Sequence, residues 1–290
     1  MKKYYFQQTL VEPVSCSGIG VHSGKKTSII LKPAPENHGI RFRRIDLPSS
    51  PDIKALFKNV VDTNFATVLS EKDAIVSTIE HLMATFTGLG IDNVLVEINA
   101  YEMPIMDGSA KEFTSFIKKA GIKKQSALKW YFVVKKLISI HEGDKYVLVT
   151  PYSSFKITCS IEFAHDLIGS QKISFNPALD SFEKKISHAR TFGFVHDWEN
   201  LKKMGLGRGG SLENAVVIDN GKVLNKKGLR YKDEFIRHKL LDCLGDFSLL
   251  GMPIKGYIRT HKSGHALNHA FINKFLAEKD SWETRPIIME

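Results

Sequence analysis

Apolar and polar positions run through the same succession twice along the chain. "GIGVHSGKKTSIILKPA" is a turn followed by alternating residues, which predicts a strand with one buried face. "LISIHEGDKYVLVTPYS" repeats the theme as strand, turn and strand. Later in each half the period lengthens to that of a helix. "STIEHLMATFTGLG" and "DEFIRHKLLDCLGDFSLLG" each carry a helical face and each end on a glycine stop. A short apolar run follows each helix, "NVLVEIN" in the first half and "IKGYIRT" in the second. "SAKEFTSFIKKAG" predicts a further helix ended by Gly121, and a polar, lysine-rich stretch covers Lys118–Trp130. This pattern predicts two copies of one α+β unit, residues 1–125 and 126–290, facing each other as a pseudo-symmetric pair of layers.

The second long helix carries unexpected chemistry. At about 100° per residue, His238, Asp242, Asp246 and Lys239 of "EFIRHKLLDCLGDF" share one narrow arc, with Leu240, Leu241, Leu244 and Phe247 opposite. His238 and Asp242 stand at i and i+4, the spacing at which two ligands share one ion. The same HxxxD also suits a solvated charged face. In the first half, Glu80 and His81 open a helix. Ser77 and Glu80 form an S-x-x-E capping box, which offers Glu80 a structural job. His81 has no such role on an amphipathic helix. His81, His238 and Asp242 together give two nitrogens and one oxygen, the composition of a catalytic Zn²⁺ site, and Fe²⁺ suits the same ligands. Glu80, beside a ligand without being one, is placed as a general base. In "HKSGHALNHAF", Gly264 argues for a loop that presents His265, with Lys262 beside it. His265 is then either a general acid or a surface histidine.

Composition narrows the partners. A chain of 290 residues suffices for two ordinary domains. Its net charge of +10 suits either an anionic partner, such as a phosphate, a nucleic acid or an acidic membrane face, or a general lysine-rich bias in composition. No nucleic-acid partner is expected, because no helix-turn-helix, zinc-finger or RNA-binding signature is present and the aromatics do not interleave with the lysines. Cys16, Cys159 and Cys243 are scattered, which suits a reducing compartment. The N-terminal "MKKYYFQQTL" lacks the apolar core of a signal peptide, and no apolar run approaches the roughly 18 residues of a spanning helix. A cytoplasmic protein is expected.

Six blocks carry a resemblance. "STIEHLMA", "IDNVLVEINAYEMPIMDGSAKEF", "HARTFGF", "GLGRGGSLENAVVID", "LRYKDEFIRHKLLDCLGD" and "KSGHALNH" resemble the UDP-3-O-acyl-N-acetylglucosamine deacetylase family, the zinc amidases of lipid A biosynthesis in Gram-negative bacteria. The resemblance runs in the family's order over nearly the whole chain. It implies two similar α+β domains, each a sheet with a helix pair, sandwiched with the helices inside. It implies that His81, His238 and Asp242 hold the metal and that Glu80 is the base. His265 would be the general acid or an electrostatic stabiliser, oriented by Asp246. Thr191 would donate to the oxyanion, and Lys239 would contact the substrate near the sugar and phosphate. The segment 192–218 would be an insert forming an acyl passage, with Phe192, Gly210, Ser211 and Ala215 along it. Lys145, Phe163, Phe194, Asp197 and Lys262 match the region that binds the uridine diphosphate. The substrate implied is UDP-3-O-acyl-N-acetylglucosamine; a monomer with peripheral contact to the inner membrane face is the separate expectation for its partners. Asn64 departs from the apolar or sulfur-containing residue common at its position, which bears on acyl-chain length.

Overall fold

The computed structural model describes residues 5–288. Its two main sheets repeat one strand order. In the first half the order is Val14–Ile19, Lys26–Pro33, Val94–Ile98, Ile40–Arg44, Asp52–Lys54. The neighbours are antiparallel except Ile40–Arg44 and Val94–Ile98, which run parallel. In the second half the order is Ile138–Glu142, Lys145–Thr150, Ile254–His261, Phe155–Glu162, Ser170–Phe175, and again only the pair after the central strand is parallel. The expected duplication is therefore a duplication of topology. The second sheet also recruits Trp130–Val134 and Trp282–Pro286 beside the start of the central strand.

Six α-helices fall within the described residues: α1 (Glu80–Leu89), α2 (Lys111–Ala120), α3 (Phe182–Lys185), α4 (Val195–Lys203), α5 (Glu234–Phe247) and α6 (His265–Ala277). Helices α1 and α5 pack on each other at the centre, α2 lies beside α1, and α6 lies beside α5. This is the expected sandwich with the helices inside. Buried Leu82, Met83 and Phe86 of α1 meet a core that includes Leu240, Leu241 and Leu244 of α5. Gly90 ends α1 in the left-handed conformation, which costs a residue without Cβ little. Gly245 sets the helix crossing, since a Cβ there would lie 2.3 Å from the carbonyl oxygen of Glu80. That glycine brings the face of α5 against the first turn of α1.

Each half carries a small three-stranded insert. The first consists of Val60–Asp62, Val68–Glu71 and Ala74–Ser77 and leads directly into α1. The second consists of Phe192–Phe194, Val216–Asp219 and Lys222–Val223, and α4 lies within it. Phe6–Leu10 pairs with Ile122–Leu128. No helix among the described residues is long and apolar enough to cross a membrane.

Two local expectations are corrected. Ser77 does not cap α1. It ends a strand, its hydroxyl lies 3.2 Å from that of Thr78, and the N-cap is Ile79, without a side-chain bond. Thr78 adopts a left-handed φ of 61° and donates its N–H to the Thr67 carbonyl. The hairpin, not a box, starts the helix, and Glu80 is free of capping duty. His265 is not in a loop but is the first residue of α6, with Gly264 as N-cap. A glycine disfavours a helix interior, yet at the position before the first turn it is well tolerated.

Candidate active site

The close approach at Gly245 brings two helix faces into one buried site. Glu80 and His81 come from the first turn of α1, and His238, Asp242 and Asp246 from α5; each is at most 5 % exposed. His238 Nε2 lies 3.3 Å and His81 Nε2 3.8 Å from Asp242 Oδ1. One donor atom from each of the three residues falls within 4.8 Å of the others. Four ligands on a tetrahedral ion with bonds near 2.0–2.1 Å stand about 3.3 Å apart, so the spacing fits a small divalent cation.

The protonation of these groups fits as well. Burial holds the His81 imidazole down at about 3, with His238 adding to the effect, so the ring is neutral and offers a lone pair. Burial also lowers His238. Its Nδ1 lies 3.1 Å from the Ala189 carbonyl, which only accepts, so Nδ1 carries the proton and Nε2 is left toward Asp242. Burial alone would raise the Asp242 carboxyl, but His238, Lys239, His265 and His81 together hold it well below the usual carboxylate range. Lys239 Nζ donates to Asp242 Oδ2 at 2.9 Å. Burial works against the Lys239 charge, yet Asp242 keeps that ammonium above the ordinary lysine range. Two neutral imidazoles and one ionised carboxylate, closely spaced and dry, are a donor set suited to Zn²⁺.

The flanking groups form a second set. Burial pushes the Glu80 carboxyl up to about 7, against the opposing pull of His265. Glu80 Oε2 accepts the backbone N–H of Thr67 at 3.2 Å. His265 Nδ1 lies 2.8 Å from Asp246 Oδ2 and 3.0 Å from Oδ1. Burial would lower this imidazole, but Asp246 outweighs it and the group is pushed up to about 10. Asn268 Nδ2 and Thr67 Oγ1 also donate to Asp246, at 2.8 and 2.7 Å.

A strut holds the segment that carries Ala189. Glu234, the fully buried first residue of α5, accepts from Arg190 N, Nε and Nη2 at 2.9, 2.9 and 3.1 Å. This pair fixes the residue that follows the Ala189 carbonyl, the group that orients His238. Thr191, the next residue, donates its backbone N–H to the Gly108 carbonyl and accepts from Val216 N. Phe192 follows, with ring contacts to Phe235 at 5.0 Å, Phe163 at 6.1 Å and His238 at 6.4 Å. The insert reaches the first half through Arg208 N–H to His22 O and Gly209 N–H to Val21 O.

The structure therefore brings together Glu80, His81, His238, Lys239, Asp242, Asp246 and His265, with Phe192 and Phe163 beside them. Lys145 and Lys262 lie at the same end of two neighbouring strands, where Tyr146 pairs with His261. Lys145 stands 3.9 Å from Glu142, and Lys262 pairs with Asp144 and Glu162. Phe194 stacks on His196, whose other neighbour is Asp197 at 3.4 Å. Gly210, Ser211 and Ala215 belong to a turn closed by Ala215 N–H to Ser211 O. No hydrogen bond or ion pair among the described residues links Asp197, Gly210, Ser211 or Ala215 to His81, His238 or Asp242. Sequence reasoning missed Thr67, Ala189, Arg190, Glu234 and Asn268, because each acts through a contact far away in the chain. A cavity of about 920 Å³ opens at the C-terminal ends of α1 and α5, and none of the site residues lines it.

Residues 7–277 match the family described as UDP-3-O-acyl N-acetylglycosamine deacetylase. A UDP-3-O-acyl-N-acetylglucosamine deacetylase of Myxococcus xanthus is 47 % identical over 282 residues, covering 97 % of this chain and 90 % of the relative. Proteins of the same name from Syntrophus aciditrophicus and Teredinibacter turnerae are 44 % and 45 % identical, covering 97 % and 96 % of this chain and 89 % and 92 % of theirs. With the match spanning nearly the whole length, the chain belongs to the UDP-3-O-acyl N-acetylglycosamine deacetylase family.

Proposed function

We propose that this protein hydrolyses the 2-acetamido group of UDP-3-O-acyl-N-acetylglucosamine, releasing acetate and the free amine for lipid A biosynthesis. The observation that supports it most is the buried trio His81, His238 and Asp242, set between a raised carboxyl, Glu80, and a charged imidazole, His265. These three residues would hold Zn²⁺, or Fe²⁺ in the cell; the bound ion supplies Lewis acidity toward the acetamide carbonyl and its attacking water.

The chain's own groups do the rest. Ionised Glu80 takes a proton from the attacking water, and a carboxyl near neutrality can hand that proton on. The Thr191 hydroxyl donates to the developing oxyanion, a contribution of about 3–4 kcal/mol for a well-aimed donor. His265, with Nδ1 committed to Asp246, offers its other nitrogen as acid or stabiliser when the sugar amine leaves. Lys239 keeps Asp242 ionised and reaches toward the sugar and phosphate. Phe192, Gly210, Ser211 and Ala215 of the insert border the acyl passage. Lys145, Lys262, Phe163, Phe194 and Asp197 take the uridine diphosphate, where lysines suit phosphates and aromatics suit the base. The two halves, divided near residue 125, thus each contribute to one site. A cytoplasmic monomer with peripheral contact to an acidic membrane face suits the substrate and the net charge of +10.

The test is product analysis with zinc-loaded protein. One acetate per substrate, with the 3-O-acyl chain retained, is expected. Release of the acyl chain in place of acetate would overturn the assignment.

A further inference from the structure

Thr67 touches both ends of the site and belongs to neither helix that forms it. It precedes the strand Val68–Glu71 in the first-half insert and is 2 % exposed. Its backbone N–H donates to Glu80 Oε2 at 3.2 Å, and its carbonyl accepts from Thr78 N at 3.1 Å, the turn from which α1 starts. Its side chain reaches across to the other half, with Oγ1 2.7 Å from Asp246 Oδ1. The hydroxyl also stands 3.4 Å from His265 Nδ1.

A hydroxyl has one proton to give, and here it goes to the carboxylate. Asp246 thereby receives donors on both oxygens: Thr67 and His265 on Oδ1, Asn268 and His265 on Oδ2. Two fixed donors, one on each side, leave the carboxylate a single orientation, and that orientation points at His265 Nδ1. The space lined by Val60, Thr67, Asp246, His265, His269 and Ile272 has no room for a water. A methyl in place of the hydroxyl would fill the same space and leave Asp246 Oδ1 without that donor.

We propose that Thr67 is a positioning residue of the deacetylase reaction: its hydroxyl locks Asp246, and so aims the His265 imidazole, while its backbone holds Glu80. This inference rests on the reading that His265 acts in turnover. Thr67→Val separates the two contacts, because it removes the hydroxyl, keeps the shape and leaves the backbone N–H on Glu80.

The experiment uses the full-length zinc-loaded protein, with metal content and melting temperature measured for each variant. Thr67→Val is expected to lower kcat about tenfold or more, the size of one lost hydrogen bond to a charged group, with KM within about twofold. Thr67→Ser, which restores the hydroxyl, is expected to restore kcat. Thr67→Ala gives the same readout should valine disturb the fold. Parental kcat in Thr67→Val, or a loss that serine does not rescue, would overturn the proposal. His265→Ala serves as the control for the underlying reading. If it turns over normally, that reading fails and the proposal fails with it; if it is slow while Thr67→Val is normal, only the proposal fails.

Discussion

Replacing Glu234 with alanine strips the buried Arg190 guanidinium of its counter-charge. In the native protein the Glu234 carboxylate accepts from Arg190 N, Nε and Nη2 and from Arg230 N, and it is fully enclosed. After truncation the guanidinium keeps, among the described residues, the Gly228 carbonyl at 2.8 Å. Removing one partner of a buried ion pair costs about 3–5 kcal/mol, because the remaining charge stays out of water without compensation. That is a large part of the roughly 5–15 kcal/mol that holds a typical domain together. The damage also reaches the site, since Ala189 adjoins Arg190 and its carbonyl fixes His238. Loss of a partner that orients a metal-binding histidine lowers affinity about 10–100-fold. Urea unfolding of the zinc-loaded protein reads the first effect as a lower midpoint at unchanged slope, and a competing chelator reads the second. Glu234→Gln should fall between the parent and Glu234→Ala. A loss below about 1 kcal/mol with unaltered zinc affinity would refute the argument that this pair braces the site.

Three further outcomes follow from the geometry. Glu80→Ala should retain zinc while kcat falls about 10²–10⁴-fold, whereas His81→Ala and Asp242→Ala should lose the metal; elemental analysis alongside turnover separates the two classes. The His265–Asp246 pair has its imidazole raised to about 10, so its contribution to stability is full below the free-histidine range near 6.5 and is lost as pH rises through about 10. Melting temperatures at pH 7 and 10.5 should therefore differ more in the parent than in Asp246→Asn, and equal differences would dismiss the pair as a stabiliser. Gly245→Ala should destabilise the protein by about 1–3 kcal/mol and slow turnover, because its methyl would meet the Glu80 carbonyl at 2.3 Å; thermal unfolding and kcat measure the two effects.

Much of this architecture is written in local pattern. Alternation over Lys26–Pro33 and Lys145–Thr150, Gly90 after α1, and Gly251 after the short 3-10 turn that continues α5 mark the repeated unit without any long-range information. His238 and Asp242 are visible as a pair because one helix turn separates them. His81 stands out because an apolar face has no need of it. Non-local pairing is what escapes such reading. Trp130–Val134 and Trp282–Pro286 join the second sheet from opposite ends of the half, and nothing in either segment announces the other. Ser77 and Glu80 have capping-box spacing, but the hairpin feeding α1 commits Ser77 to a strand. Gly264 suggests a loop, while its place one residue before α6 makes it an N-cap. Thr67 shows the limit most clearly, since its significance lies in an oxygen of Asp246, 179 positions further along.

Two helices from two halves of the chain bring their side chains into one candidate metal-dependent deacetylase site. Acetate release from UDP-3-O-acyl-N-acetylglucosamine should be measured before chelation, after chelation and after zinc is returned. The chelator should abolish turnover, and zinc should restore it. Turnover that persists in metal-stripped protein would contradict the role given to His81, His238 and Asp242. Absence of turnover in fully zinc-loaded protein would contradict the substrate.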